Sequence, residues 1–178
     1  MDTDLKNIIN DILVNKEVRD FGSFIVAMIP ELANEIGFDQ KHPHHHLDVW
    51  EHTLLALDNL DSDDLESNMA LLLHDIGKPF SYQDDGDYRH FNNHADVSSK
   101  IARTVLQRLK YDEDFINNVC YLIKYHDTVI DPDSFGKLDY KLLDIQYADA
   151  KAHHPDKVLK RIKNLDKIKD EILKTVNH

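Results

Sequence analysis

His74 and Asp75 stand side by side directly after the apolar run 69–73. An imidazole and a carboxylate in apolar surroundings cost free energy to bury unless each has a polar or charged partner. A divalent metal ion suits both groups, because imidazole nitrogen and carboxylate oxygen are common ligands of such ions. The doublet therefore indicates a metal site, provided that other parts of the chain supply further ligands.

Four more ionisable side chains lie on the apolar faces of predicted helices, at spacings of three, four or seven from Leu, Ile or Val. These are His52, His94, His126 and Asp149. Taken singly, such a histidine is more often a core residue bonded to a carbonyl, and such an aspartate is more often a cap or an ion-pair partner. Burying all of them without a cation would cost roughly several kcal/mol for each unpaired charge. The set as a whole therefore favours a metal centre.

The donor types narrow the choice of ion. Mixed imidazole and carboxylate ligands suit divalent Mn, Fe, Ni, Co, Mg or Zn better than soft ions. Cys120 is the single cysteine, which excludes a multi-thiolate zinc site and any intramolecular disulfide. Its apolar neighbours predict a buried structural thiol.

The elements that must position these side chains are predicted to be helices, because the apolar residues recur at helical spacing. Asp48 is a predicted N-cap, with Glu51 three residues later as in a capping box, and Pro30 is expected to break or kink the second helix. A turn or short hairpin is predicted over 80–91. The predicted helices span about 3–16, 19–37, from 48 onward, 63–76, 93–110, 112–127, 139–154 and 156–176.

Length and charge set limits on the function. The 178 residues predict one domain with a substantial core, and 5 Gly and 5 Pro argue against an all-β fold. A formal charge of −12 disfavours extended nucleic-acid binding. No apolar stretch approaches the roughly 20 residues that cross a bilayer, and residues 1–20 show no secretory signal. We therefore expect a cytoplasmic protein without membrane contact.

The ordered set resembles the HD superfamily of metal-dependent phosphohydrolases, which carries the pattern H…HD…D. The matching residues are His52, the doublet His74-Asp75 and Asp149. The region from about 44 to 154 is also similar to the HD region of bacterial tRNA nucleotidyltransferases and their stand-alone relatives. Residues 1–47 are too short and too helical for the polymerase region of those enzymes, so tRNA maturation is not expected of this chain.

The resemblance implies an all-α HD-domain bundle over 1–178, with a core at about 44–154 and helical additions at 1–43 and 155–178. It implies one metal held by His52, His74, Asp75 and Asp149. His94 and His126 fall where binuclear members hold a second metal, which Asp75 would bridge; one or two ions are expected. The implied reaction is hydrolysis of a nucleotide or other small phosphate ester, a phosphomonoester or a phosphodiester, by metal-activated water.

Several roles stay open in the sequence. Lys78 is a candidate phosphate contact or an exposed lysine at a helix end, and His94 and His126 are second-metal ligands or contacts for phosphate and leaving group. His45 or His46 is expected to border the pocket, while His42, His44 and the other member of the pair are expected to be exposed. The alternative functions are a non-catalytic regulatory module that binds metal and nucleotide, and an RNA-binding accessory domain. The substrate, the metal and the oligomeric state are not predicted.

Overall fold

Helix α4, Leu65–Leu73, lies at the centre of the molecule. In the computed structural model, which describes residues 2–177, every residue of this helix from Ser67 to Leu73 is buried. Four neighbours cover it, namely α1 (Asp2–Val14), α3 (Val49–Asn59), α6 (Glu113–Lys124) and α7 (Lys137–Lys151). Helix α5 (His94–Arg108) lies on α6, and the long α8 (Pro155–Val176) lies along α7.

The described residues form an all-α bundle, so the predicted fold class is confirmed. The helices are α1 Asp2–Val14, α2 Gly22–Met28, α3 Val49–Asn59, α4 Leu65–Leu73, α5 His94–Arg108, α6 Glu113–Lys124, α7 Lys137–Lys151 and α8 Pro155–Val176. Short 3-10 helices cover Pro30–Glu35, Lys78–Phe80 and Pro132–Ser134. The predicted hairpin is a two-stranded antiparallel sheet of β1 Gln83–Asp84 and β2 Arg89–His90, in which Gln83 pairs with His90.

The second predicted helix is broken, as Pro30 suggested. Helix α2 ends at Met28, and the chain continues as the 3-10 helix from Pro30, because proline cannot donate to the preceding turn. This short helix carries Glu35 into the interior, where its side chain is fully buried. The break therefore places an acidic residue that the predicted continuous helix did not position.

The start of α3 was predicted correctly, with one difference in the cap. Asp48 Oδ1 accepts a hydrogen bond from Glu51 N at 2.7 Å, and Asp48 Oδ2 accepts one from Gly37 N at 2.9 Å. The Glu51 side chain instead accepts from Arg19 at 3.2 Å, so only half of the expected capping box forms. The cap fixes the first turn of α3, from which His52 points inward.

Among the described residues, every helix is too short or too polar to cross a lipid bilayer.

Candidate metal centre

Five separate elements bring the predicted ligands to one place. His52 lies in α3, the doublet follows α4, His94 begins α5, His126 lies two residues after α6, and Asp149 lies near the end of α7. All of these side chains are buried except that of His94, which is 11% exposed. The bundle therefore gathers all six predicted residues, although they are spread over 98 positions of the chain.

The doublet lies in the turn after α4 and not inside the helix. The helix ends at Leu73, three residues before the predicted end, and Lys78 N donates to Asp75 O at 3.0 Å in the turn that follows. Gly77 allows this turn to press against α5, where Gly77 N donates to Ser98 Oγ at 2.8 Å. An added Cβ at Gly77 would lie 2.5 Å from Ser98 N, so the close approach requires glycine.

The four histidines are oriented in the same way. In each ring Nδ1 lies at hydrogen-bond distance from a backbone carbonyl, which assigns the proton to Nδ1 and leaves Nε2 as a free acceptor. The distances are 3.1 Å for His52 to Ala152 O, 2.6 Å for His74 to Leu71 O, 2.7 Å for His94 to Phe91 O and 2.6 Å for His126 to Ile123 O. Backbone contacts therefore turn four Nε2 lone pairs toward one another.

One group of donors surrounds Asp149 Oδ1 and Asp75 Oδ2. His52 Nε2 lies 2.8 Å from Asp149 Oδ1 and 3.6 Å from Asp75 Oδ2. His74 Nε2 lies 3.4 Å and 3.2 Å from the same two oxygens. Two imidazole nitrogens and two carboxylate oxygens from two helices and one turn thus converge as a metal ligand set does.

A second group surrounds the other oxygen of Asp75. His94 Nε2 lies 3.3 Å from Asp75 Oδ1, and His126 Nε2 lies 3.8 Å from it. Asp127 Oδ2 lies 3.8 Å from His94 Nε2 but its side chain is 46% exposed. The two oxygens of Asp75 therefore face two different groups of donors.

The donor set fits a divalent cation. Within residues 2–177, His74 Nε2 and both oxygens of Asp75 are buried without a hydrogen-bond partner of adequate angle. His94 Nε2 and His126 Nε2 lie 3.1 Å apart, and with both protons on Nδ1 their lone pairs would repel. Buried polar atoms are rarely left unpaired, and a cation between them satisfies all of these atoms at once.

The charges in the cluster shift the pKa of its members. Burial lowers the pKa of His126 to about 4, which keeps this imidazole neutral. Burial would also lower the pKa of His74, but the carboxylates of Asp75 and Asp149 outweigh it and raise that pKa well above the usual value. His74 Nε2 therefore holds a proton to higher pH than an ordinary histidine does, and a bound ion would have to displace that proton.

The two carboxylates remain ionised despite their burial. Burial alone would raise their pKa, but His74 and Lys78 hold the pKa of Asp75 well below its usual range. Arg161, whose guanidinium contacts Asp149 Oδ2, does the same for Asp149. Two buried carboxylates that stay ionised are an environment that attracts a cation.

Lys78 is buried, so the interpretation as an exposed lysine at a helix end is wrong. Its Nζ lies 3.0 Å from Asp75 Oδ2 and donates to Gln40 Oε1 at 2.7 Å. The same Nζ lies 5.3 Å from the centre of the Phe91 ring. The lysine therefore stands between the doublet and the cavity that opens beyond it.

An open cavity of about 330 Å³ gives access to the second group of donors. His45 lines it and also packs against the first group, with its ring 5.2 Å from that of His52. His42 lines the same cavity, contrary to its predicted exposure, whereas His44 and His46 are exposed as predicted. The lining residues are His42, His45, Lys78, His90, Phe91, Asn92, His94 and Asp127.

The sequence pattern did not identify three residues that contact or adjoin the cluster. Arg161 of α8 binds Asp149 Oδ2 at 3.0 Å, although residues 155–178 were expected to be a helical addition outside the core. Gln40 holds Lys78, and Glu35 lies buried near the doublet. Glu35 follows Leu32 by three positions, which could have placed it on an apolar face, but Arg161 and Gln40 carry no periodic signal.

The region of the chain that carries the cluster is similar to a known protein family. The sequence profile described as the HD domain matches residues 44–169, well over half of the chain. The chain belongs to the HD domain family. Proteins of this superfamily are generally metal-dependent phosphohydrolases.

The chain is also similar to parts of longer enzymes. It is 36% identical over 104 residues to the CC-adding tRNA nucleotidyltransferase of Thermus thermophilus and to the A-adding tRNA nucleotidyltransferase of Deinococcus radiodurans. These matches cover 55% of this chain and 24% of each enzyme. It is 22% identical over 168 residues to ribonuclease Y of Aliarcobacter butzleri, covering 94% of this chain and 30% of that protein. The chain thus spans about a quarter of the nucleotidyltransferases that it matches.

Proposed function

We propose that the protein is a metal-dependent phosphohydrolase that acts on a nucleotide or another small phosphate ester. The observation that carries the proposal is the convergence of four Nε2 atoms on the buried oxygens of Asp75 and Asp149, among which both Asp75 oxygens lack a hydrogen bond of adequate angle. His52, His74, Asp75 and Asp149 would hold one divalent ion. His94 and His126 would hold a second, with Asp75 between the two.

A bound divalent ion would supply positive charge that stabilises phosphoryl oxygens and acidifies water near neutral pH. The chain itself orients the surrounding groups. Backbone carbonyls lock the histidine rings, and Lys78 keeps Asp75 ionised while lending its charge to the cavity. His94 is the donor of this set that lines the cavity, so it is the candidate for contact with substrate, while His126 lies behind it.

The cavity favours a small anionic substrate. Its volume of about 330 Å³ is near the lower end of small-molecule sites. Its lining includes Lys78 and four histidines against the single carboxylate of Asp127, which favours phosphate at this entrance. The charge of −12 over the whole chain repels long polyanions, so the proposal is a phosphorylated small molecule. The relatives named for tRNA and ribonuclease functions support a nucleotide as that molecule.

The test combines metal content with turnover. Protein purified without chelators is analysed for metals and then assayed with phosphomonoesters and phosphodiesters of nucleotides in Mn, Mg, Ni and Co. We expect turnover that falls by at least about 100-fold in Asp75→Asn, since a metal contributes several kcal/mol to such reactions. Asp144→Asn, at an exposed position of α7, is the matched control and should retain activity.

Two outcomes would reject the proposal. Full activity in Asp75→Asn would show that the hydrolysis does not depend on the cluster. Nucleotide binding without any product across the panel would favour the regulatory module instead.

A further inference from the structure

Arg161 reaches from α8 to the side of Asp149 that faces away from the histidines. One guanidinium nitrogen lies 3.0 Å from Asp149 Oδ2, and another lies 3.2 Å from His153 Nε2. Asp149 is buried and 32% of the Arg161 side chain is exposed, so the guanidinium closes the cluster on the solvent side. The HD pattern of histidines and aspartates does not include this residue.

His153 completes this arrangement. Its Nδ1 donates to the backbone carbonyl of Asp149 at 2.7 Å, which leaves Nε2 free to accept from Arg161. Burial lowers the pKa of His153 to about 4, in agreement with a neutral ring. Arg161 therefore makes two hydrogen bonds at the end of α7, one to the Asp149 carboxylate and one to the ring of His153, which lies two residues after the helix.

Arg161 and the histidines contact different oxygens of Asp149. Oδ2 is occupied by Arg161, while Oδ1 faces His52 Nε2 at 2.8 Å and His74 Nε2 at 3.4 Å. A planar guanidinium holds a carboxylate in a defined direction. The carboxylate therefore presents one oxygen, and not both, to the proposed metal.

We propose that Arg161 is a positioning residue that fixes Asp149 as a single-oxygen ligand and so makes α8 part of the metal centre. The proposal rests on the proposed function only in that His52, His74, Asp75 and Asp149 bind an ion. It adds a residue from a helix that was expected to be a peripheral addition.

Arg161 has two opposite effects on ion binding, repulsion by its charge and orientation of the Asp149 ligand. Its positive charge repels a cation, but the side chain is one-third exposed and solvent weakens that repulsion. Orientation of a ligand by an outer partner typically contributes about 10- to 100-fold in metal affinity. We therefore expect orientation to outweigh repulsion.

The test is a titration of metal-free protein with Co²⁺. Calorimetry measures the affinity, and the visible absorption of the ion reports its ligand geometry. Arg161→Gln should bind Co²⁺ about 10- to 100-fold more weakly and with an altered absorption band. Arg161→Lys keeps the charge without the planar fork and should fall between Arg161→Gln and the wild type. Arg103→Gln is the matched control, because Arg103 also joins a carboxylate and a second polar side chain, Glu113 and Asn117, but on the surface of α5 and α6.

The melting temperature of each metal-free variant separates positioning from simple loss of structure. If Arg161→Gln does not fold, the affinity and absorption band of Arg161→Lys decide the question. Affinity within twofold of wild type with an unchanged band, or tighter binding in Arg161→Gln, would overturn the proposal. If the wild type binds no Co²⁺, this proposal and the proposed function fail together, whereas equal binding in all variants rejects only the role of Arg161.

Discussion

At the scale of single residues, Asp75 joins the two halves of the cluster. Oδ2 faces His52 and His74, and Oδ1 faces His94 and His126, at 3.2–3.8 Å. The two halves differ in access, because His52 is buried whereas His94 lines the open cavity. Substitutions in the two halves should therefore have different effects.

We expect His52→Gln to weaken binding of the first ion at least about tenfold, because it removes a direct ligand. His94→Gln should leave the first ion bound and reduce turnover. Ion titration with single-turnover assays on both variants measures the difference. Equal loss of the first ion in both variants would contradict the division into two groups.

Glu35 provides a prediction about stability. Both of its carboxylate oxygens are buried without a hydrogen-bond partner of adequate angle among residues 2–177. Burial and the nearby charge of Asp75 raise its pKa well above the usual value, against the opposing effects of His74, Lys78 and the Thr53 hydroxyl. The carboxyl group is therefore protonated in the folded protein over a wider pH range than in the unfolded chain.

Because the folded pKa is raised, the stability that Glu35 contributes is complete below its unfolded pKa and is lost as pH rises through the folded pKa. Metal-free Glu35→Gln should match wild type near pH 4 and become the more stable protein as pH increases. Glu35→Ala should lose about 2–3 kcal/mol near pH 4 through the cavity that it leaves, and this deficit relative to wild type should shrink as pH increases. Urea unfolding between pH 4 and 8 measures the free energy of unfolding of both variants. A difference between wild type and Glu35→Gln that stays constant with pH would contradict the raised pKa of Glu35.

Residue types and helical spacing predicted all six side chains of the cluster, because a histidine or aspartate on an apolar face is a local signal. The same reasoning could not predict Arg161 or Gln40. Their partners, Asp149 and Lys78, are 12 and 38 positions away in sequence, and such contacts depend on how helices and loops pack.

At the scale of elements, the turn after α4 determines where the doublet lies. Helical spacing predicted α4 correctly but extended it to 76, since His74 and Asp75 are compatible with a helix. The observed end at Leu73 depends on packing against α5, and the helix propensities of the local residues carry no information about that packing. His126 likewise lies beyond the end of α6 at Lys124, although the predicted helix reached 127.

Gly77→Ala tests this turn. The added Cβ would meet Ser98 N at 2.5 Å and His94 O at 2.9 Å, so the turn or the start of α5 must move. We expect a loss of about 1–3 kcal/mol in unfolding free energy and weaker binding of a second ion. Gly22→Ala is the control, because its Cβ meets Trp50 at an ordinary 3.4 Å. Equal stability of the two variants would show that the turn adapts without cost.

At the scale of the whole molecule, the proposed metal ligands come from five elements that meet only in the folded bundle. The unfolded chain cannot form this site, so an ion should stabilise the fold. At 100 times the dissociation constant the gain is about 2.7 kcal/mol, seen as a higher melting temperature with the ion. Asp149→Asn should abolish most of this gain, and Asp144→Asn should retain it.

The net charge of −12 gives a second prediction at this scale. We expect no retention of single-stranded or transfer RNA in filter binding at low salt, because the acidic surface repels a phosphate backbone. Retention that weakens as salt rises would instead support the RNA-binding alternative.

The central claim is that the buried cluster binds a divalent ion. The most direct measurement is elemental analysis of wild type and Asp75→Asn after equilibration with Mn, Fe, Ni, Co, Mg and Zn and removal of free ions. The structure predicts one or two ions per wild-type chain and a marked loss in Asp75→Asn. A wild type that retains no ion, or a variant that retains as much as wild type, would contradict it.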